Sequence, residues 1–158
     1  MNDFADIEIL LVEDNPTDAE MALRALKKSF LNKVFWVQDG VEALDFLRCT
    51  GSYESRPHQL PKLVLLDMKM PRLDGFSVLR ELKSAEGTRS IPVVMMSSSS
   101  QDRDLAKAYQ LGVNGYAVKP IHFEELVEAL GRIGMYWLRV NLLPLGMISG
   151  LAVSNASF

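Results

Sequence analysis

Five residues of this 158-residue chain are of types that do chemistry, and each stands at the end of a short apolar run. Glu13 and Asp14 follow Ile7 to Val12. Asp67 follows Leu63-Val64-Leu65-Leu66. Ser97 follows Ile91 to Met96, and Lys119 follows Tyr116-Ala117-Val118 and precedes Pro120. Apolar runs between turn signals, the first of them interrupted only by Glu8, suit strands buried on both faces. Ligands of open α/β sheets bind outside the carboxyl ends of such strands. Three carboxylates crowded at one edge repel and cannot all stay ionised cheaply. A hard divalent cation offsets them, and oxygen ligands of this kind suit Mg2+ (with Mn2+ as a substitute) carrying several waters. With a lysine and a hydroxyl added, the set becomes a receptacle for a phosphoryl group. A carboxylate attacks phosphorus, the cation and lysine take up charge on the equatorial oxygens, and the hydroxyl bonds one of them. Asp67, the lone acid between the pair and the lysine, is the expected nucleophile. Taken alone, Asp67 reads equally well as a helix N-cap, so the surrounding elements must decide.

Those elements alternate. After the first strand, Asn15-Pro16-Thr17-Asp18 is a helix start, and the helix is predicted over Pro16 to Ser29. Lys33 to Val37 is β-branched and aromatic, a second strand. Asp39-Gly40 turns into a helix predicted over Gly40 to Cys49. Thr50 to Pro61 is a polar loop with a glycine and two prolines, long for a connection inside one domain. The strand ending at Asp67 leads through Asp74-Gly75 to a third helix. Ile91 to Met96 is the fourth strand, and Gln101 to Leu111 the fourth helix. Tyr116 to Val118 is the fifth strand, and a fifth helix starts near His122 or Phe123. A β-α unit repeated five times predicts an α/β doubly wound parallel sheet with right-handed crossovers. In the strand order 2-1-3-4-5, the first and third strands are neighbours, which brings Glu13, Asp14 and Asp67 together.

The acid pair, the segment Asp67-x-x-Met70-Pro71-x-x-Asp74-Gly75, Ser97 thirty positions after Asp67, and Lys119-Pro120 twenty-two further on resemble the receiver domain of two-component response regulators. The resemblance covers Glu8 to Gly134, placing a receiver domain in residues 1–134 and a C-terminal extension in 135–158. It implies a five-stranded flavodoxin-like (βα)5 fold. It also implies Asp67 as phosphoacceptor, and Mg2+ held by Glu13, Asp14, Asp67 and the backbone carbonyl of Lys69. Lys119 would bind the phosphoryl group, through a peptide to Pro120 that is commonly cis in the family. Ser97 and Tyr116 would be the hydroxyl and aromatic of a switch that alters the surface of the fourth helix, fifth strand and fifth helix. The implied reaction is transfer from a phosphohistidine on a partner histidine kinase, followed by hydrolysis of the protein's own acyl phosphate. The chain would be a signalling protein rather than an enzyme acting on other substrates. Lys69 and Ser99 occupy two positions that influence acyl-phosphate lifetime in the family; a cation at Lys69 is expected to slow its loss.

Plainer readings stand beside some of these. Glu13 at the outer position of the pair also suits a solvated acid. Tyr116 also suits a strand aromatic packing on a helix. Ser98 and Ser100 read as loop and cap residues, His58 as solvated, His122 as a helix-start residue and Cys49 as an inert helix end.

A net charge of −3 gives no support for a nucleic-acid binder. A single cysteine excludes an internal disulfide framework and suits a reducing cytosol. The acidic start lacks the basic segment of a signal peptide, and no apolar run is long enough to span a bilayer. A cytoplasmic protein with no membrane contact is expected. The segment after the fifth helix is too short for a DNA-binding domain and is apolar, with Tyr136, Trp137, Val140 and Leu143 near helical spacing. A helix extended to about Leu143, before Pro144, and a homodimer through it are predicted; the alternative is a tail folded back on its own domain.

Gly51, Tyr53, Pro57, Leu60 and Pro61, with Trp137 and Pro144, carry a narrower likeness to stand-alone receivers paired with phytochrome-type kinases. The alternative is the same receiver acting as a phosphorelay intermediate for a different kinase class. Two other classes fit less well. Phosphatases with an aspartate nucleophile usually carry a second acid two positions on, where Lys69 stands. A flavodoxin-like cofactor binder needs a phosphate-cradling loop after the first strand, and Glu13-Asp14-Asn15-Pro16 is acidic.

Overall fold

The computed structural model describes residues 4, 6–30 and 34–144. Its elements alternate in order: β1 (Ile9–Val12), α1 (Pro16–Lys27), β2 (Val34–Val37), α2 (Gly40–Arg48), β3 (Leu63–Asp67), α3 (Gly75–Ser84), β4 (Val93–Ser97), α4 (Asp102–Gln110), β5 (Gly115–Val118) and α5 (Phe123–Met135). The five strands form one sheet in the order β2-β1-β3-β4-β5, with every neighbouring pair parallel. The doubly wound (βα)5 expectation is met. Strand and helix ends differ from the predicted ones by a few residues, as fraying and capping allow. Lys33, expected in the second strand, and the predicted C-terminal extension beyond Pro144 lie outside the described residues.

β1, β3 and β4 are buried along their whole lengths, which is why they read as continuous apolar runs. Alternate residues divide between two cores. Leu10, Val12, Val64, Leu66, Val93 and Met95 pack with α2 and α3 residues such as Phe46, Val78 and Leu82. Ile9, Leu11, Leu63, Leu65, Val94 and Met96 pack under α1 and α5, on Leu26 and Leu130.

The helices that follow β1, β2 and β3 start where the sequence places caps. Asn15 Oδ1 accepts from the Thr17 and Asp18 amides, Asp39 from the Glu42 amide and Asp74 from the Ser77 amide. Each such cap stabilises its helix by about 1 kcal/mol. Asp74, then, is the N-cap of this region, and Asp67 is the last residue of a strand. α2 closes at Cys49, which is buried and takes a left-handed φ of 55°.

Two connections depart from expectation. The Thr50–Pro61 loop is not merely polar and irregular. It contains a 3₁₀ turn, Gly51–Tyr53, and buries both Tyr53 and Arg56. Tyr53 joins Phe4, Phe35 and Phe46 in an aromatic cluster. Arg56 lies 4.0 Å over the Phe46 ring and donates to the carbonyls of Phe46 (2.8 Å) and Gln59 (3.0 Å). A buried, hydrogen-bonded arginine is invisible to a reading that treats charge as surface.

The second departure is at the C-terminus. α5 passes into a π-helical turn, Tyr136–Val140, closed by the Asn141 amide donating to the Tyr136 carbonyl, and Asn141 is already extended. The helix therefore ends before Leu143. Leu138 is buried and Trp137 half-buried against the α1–α5 core, whereas Leu143 packs on the opposite core. Two of the four residues assigned to a dimer patch thus face their own domain. Tyr136 and Val140 remain exposed, as do Met135 and Leu142.

Candidate functional site

Sheet register assembles the site. Val12 pairs with Leu66, so one residue further Glu13 stands beside Asp67. Asp67 pairs with Met96, and Ser97 with Val118, so Ser97 and Lys119 emerge on the adjoining strand ends. Helix α3 begins directly over this edge. The Gly75 amide donates to the Met68 carbonyl at 2.9 Å. A Cβ on Gly75 would lie 2.3 Å from the Asp67 carbonyl oxygen. Only glycine lets the helix start that close, the physical reason for glycine after Asp74.

Carboxylate oxygens of Glu13, Asp14 and Asp67 lie within 4.8 Å of one another. Glu13 and Asp67 are buried and Asp14 half-buried. Lys119 Nζ bridges the two buried acids, 2.8 Å from Asp67 Oδ1 and 2.9 Å from Glu13 Oε2. Asp18 on α1, which the sequence reading missed, stands 3.9 Å from the same ammonium. Its place as the third residue of α1, within reach of Lys119 after the fifth strand, follows from the fold alone.

Burial is the main force on these groups. It pushes the Glu13 carboxyl up to about 7, helped by the Asp67 charge and opposed by Lys119. It raises Asp67 as well, against the hydrogen bond and charge of Lys119. Burial alone would lower Lys119, but Asp67 and Glu13 outweigh it and the ammonium is held above its ordinary value. Two acids thus share one full positive charge, and the site retains an excess of negative charge.

Glu13 is no solvated acid: it is 4% exposed, and its backbone and carboxylate are all engaged. Its amide donates to the Val37 carbonyl at 3.1 Å, and its carbonyl accepts from the Trp36 indole at 2.8 Å. The donor set fits a hard divalent cation: three carboxylates converge and no soft ligand intrudes. Lys69 is exposed and lines the same open groove as Asp14, a space of about 930 Å3 bounded by Met70, Pro71 and the Ser98–Gln101 segment.

Ser97 is buried at the end of β4, and its hydroxyl accepts from the Ser99 amide at 3.0 Å. Tyr116 is half-buried and its hydroxyl donates to the Ser99 carbonyl at 2.9 Å, so it is more than a packing aromatic. Ser99 therefore joins both. Its own hydroxyl donates to Asp104 at 2.6 Å and accepts from the Gln101 amide, while Gln101, the N-cap position of α4, makes no side-chain cap bond. His58 is exposed, and His122 is the N-cap position of α5 without a side-chain hydrogen bond. The expected cis Lys119–Pro120 peptide is not found; no described peptide bond is cis.

Comparisons with known proteins follow this geometry. Residues 9–131 match the family described as "Response regulator receiver domain". The chain is 42% identical over 137 residues to the probable methanogenesis regulatory protein FilR2 of Methanothrix harundinacea, covering 86% of each. It is 36% identical to response regulator Rcp1 of Synechocystis, over 86% of this chain and 92% of that one. The Mn(2+)-bound structure of Rcp1 superposes with a TM-score of 0.77, over 86% of this chain and 97% of that one. The phosphorylated cyanobacterial phytochrome response regulator RcpA superposes with a TM-score of 0.81, at 38% identity over 89% of this chain and 99% of that one.

Proposed function

The chain belongs to the response regulator receiver family, and from that premise we propose that it is a cytoplasmic signalling protein that accepts a phosphoryl group on Asp67. The donor is a phosphohistidine on a histidine kinase. An Asp67 carboxylate oxygen attacks phosphorus, the P–N bond breaks, and the imidazole leaves with its electron pair. The observation that carries this reading is the Lys119 bridge: one ammonium lies within 3 Å of Asp67 and Glu13, next to a third acid.

The residues divide the work. Lys119 orients the Asp67 carboxylate and can follow charge from Glu13 to the arriving phosphoryl oxygens. Glu13, Asp14, Asp67 and the Lys69 carbonyl would hold Mg2+, or Mn2+ in its place. A bound cation supplies positive charge against the phosphoryl oxygens while the acids stay ionised. Ser97 gives up its bond from the Ser99 amide and donates its hydroxyl to a phosphoryl oxygen. Tyr116, tied to the Ser99 carbonyl, reports that change toward α4, β5 and α5. The protein acts on no substrate but its own acyl phosphate.

The kinase is of the phytochrome type in this reading. Its support is the likeness to the cyanobacterial phytochrome response regulator RcpA along nearly the whole of both chains. A second copy of the chain docks on the exposed face of residues 135–142, where Met135, Tyr136, Val140 and Leu142 are 49–90% exposed. Incubation with acetyl phosphate and Mg2+ tests the central step. Intact mass should show a single phosphoryl adduct that Asp67→Asn abolishes; an adduct that survives the substitution rejects the reading.

A further inference from the structure

Trp36 lies on β2, the edge strand, yet its side chain reaches the chemistry at the end of β1. Trp36 pairs with Leu11 in the sheet, and its indole N–H crosses to the Glu13 carbonyl, two residues further along, at 2.8 Å. The Glu13 amide is bound at the same time to the Val37 carbonyl at 3.1 Å. Both polar groups of the Glu13 peptide backbone are therefore tied to β2, one by the ladder and one by a side chain. Beyond Val12, strand pairing alone leaves the Glu13 carbonyl without a partner from β2, and the indole supplies it. Asp14 follows on the same peptide unit. The ring is partly buried and packs against the core cluster beneath α1 and α5.

We infer that Trp36 is a positioning residue for the cation site: its indole N–H holds the Glu13–Asp14 peptide so that both carboxylates converge with Asp67. Trp36 touches neither cation nor phosphoryl group. It acts by fixing the peptide that joins two ligands, where loss of about 1 Å of placement lets the acids spread apart under their own repulsion. The inference rests on the divalent-cation site proposed above, and the experiment separates the two.

Mn2+ binding is followed by electron paramagnetic resonance in the full chain, for wild type, Trp36→Phe, Trp137→Phe and Asp14→Ala. Phenylalanine keeps an aromatic ring in the core but removes the donor together with part of the ring's volume, and Trp137→Phe makes the same loss of volume away from Glu13. The expected result is a Mn2+ affinity weakened roughly fivefold to tenfold in Trp36→Phe, at or just below the low end of the 10–100-fold typical of groups that orient metal ligands. Trp137→Phe should leave it unchanged and Asp14→Ala should abolish it. Equal affinity in wild type and Trp36→Phe overturns the inference while leaving the cation site standing. Absence of Mn2+ binding by wild type overturns both.

A second measurement needs no variant that must fold. In the wild-type chain the two indole N–H resonances are compared with and without Mg2+. The Trp36 resonance should be protected from solvent exchange and should shift when Mg2+ is added. A Trp36 N–H that exchanges as fast as a free indole overturns the inference.

Discussion

Lys119 Nζ stands 2.8 Å from Asp67 Oδ1, and that one ion pair joins the last strand of the sheet to its middle. The same ammonium holds Glu13 at 2.9 Å. Lys119 is therefore the counter-ion of a site whose acids outnumber it. Replacing it with methionine leaves Glu13 and Asp67 buried without their cation. We expect Lys119→Met to lower unfolding free energy by about 1–3 kcal/mol, less than for a fully buried pair because the freed acids take up protons. Mg2+ should restore part of the loss. Denaturant titration with and without Mg2+ measures both; unchanged stability without Mg2+ would show that the bridge has no energetic role.

pH should act through Glu13. Its carboxyl sits at about 7 in the fold, against 4.5 ordinarily, with burial the first cause and Asp67 the second. The folded state thus holds a proton that the unfolded chain has lost. This contribution to stability is complete below the unfolded value and disappears as pH rises through the folded one. A cation on Glu13 must displace that proton. Mn2+ affinity should therefore fall by up to roughly tenfold per pH unit below about pH 7 and level off above it. Titrations at about pH 6 and about pH 8 decide it, and equal affinities at both would count against ligation by Glu13.

Lys69 bears on timing. It is exposed and lines the same open groove as Asp14, at the strand edge where Asp67 ends β3. Lys69→Asn exchanges a cation that attracts phosphoryl oxygens for an amide able to orient water, so phosphate loss should accelerate, by about threefold to tenfold. Decay of the phosphorylated form followed by intact mass measures it. An unchanged rate would remove Lys69 from the account.

The exposed C-terminal face predicts its own test. Tyr136→Glu with Val140→Glu puts two charges into the patch without touching Leu138, which is buried. Light scattering should show a dimer in wild type and a monomer in the double variant. Circular dichroism should be the same for both. A monomeric wild type, phosphorylated or not, would exclude the dimer.

Arg56 separates scaffold from site. It is 3% exposed and binds two carbonyls. Arg56→Ala leaves both without donors and uncovers Phe46, and should cost about 2–4 kcal/mol of stability. Mn2+ affinity should not change, because the insertion lies away from the acids. A loss of affinity equal to that of Asp14→Ala would mean that the insertion supports the site.

What the sequence made legible had local or periodic causes. Apolar runs ending in Glu13, Asp67 and Ser97 read as strands because they are buried on both faces. Asn15, Asp39 and Asp74 marked where helices begin, and they do so as caps because capping needs only a short polar side chain two or three residues before an amide. Lys119 as the partner of Asp67 was legible only through its position relative to other motif residues. What was hidden depends on side chains crossing between elements: Trp36 reaching Glu13, Asp18 facing Lys119, Arg56 lying on Phe46. No spacing rule announces such contacts. The end of the last helix was missed for a related reason. Leu143 fits helical spacing, but the chain turns at Asn141 and carries it to the opposite core.

The most direct test of the account is the position of the phosphoryl group itself. The chain is phosphorylated with acetyl phosphate and Mg2+, reduced with borohydride, and digested for tandem mass spectrometry. Reduction converts an aspartyl phosphate to homoserine. The account predicts homoserine at position 67 alone, and none when Mg2+ is chelated before phosphorylation. Homoserine at position 14 or 5-hydroxynorvaline, the reduced form of a glutamyl phosphate, at position 13 instead, or no conversion anywhere, would contradict it.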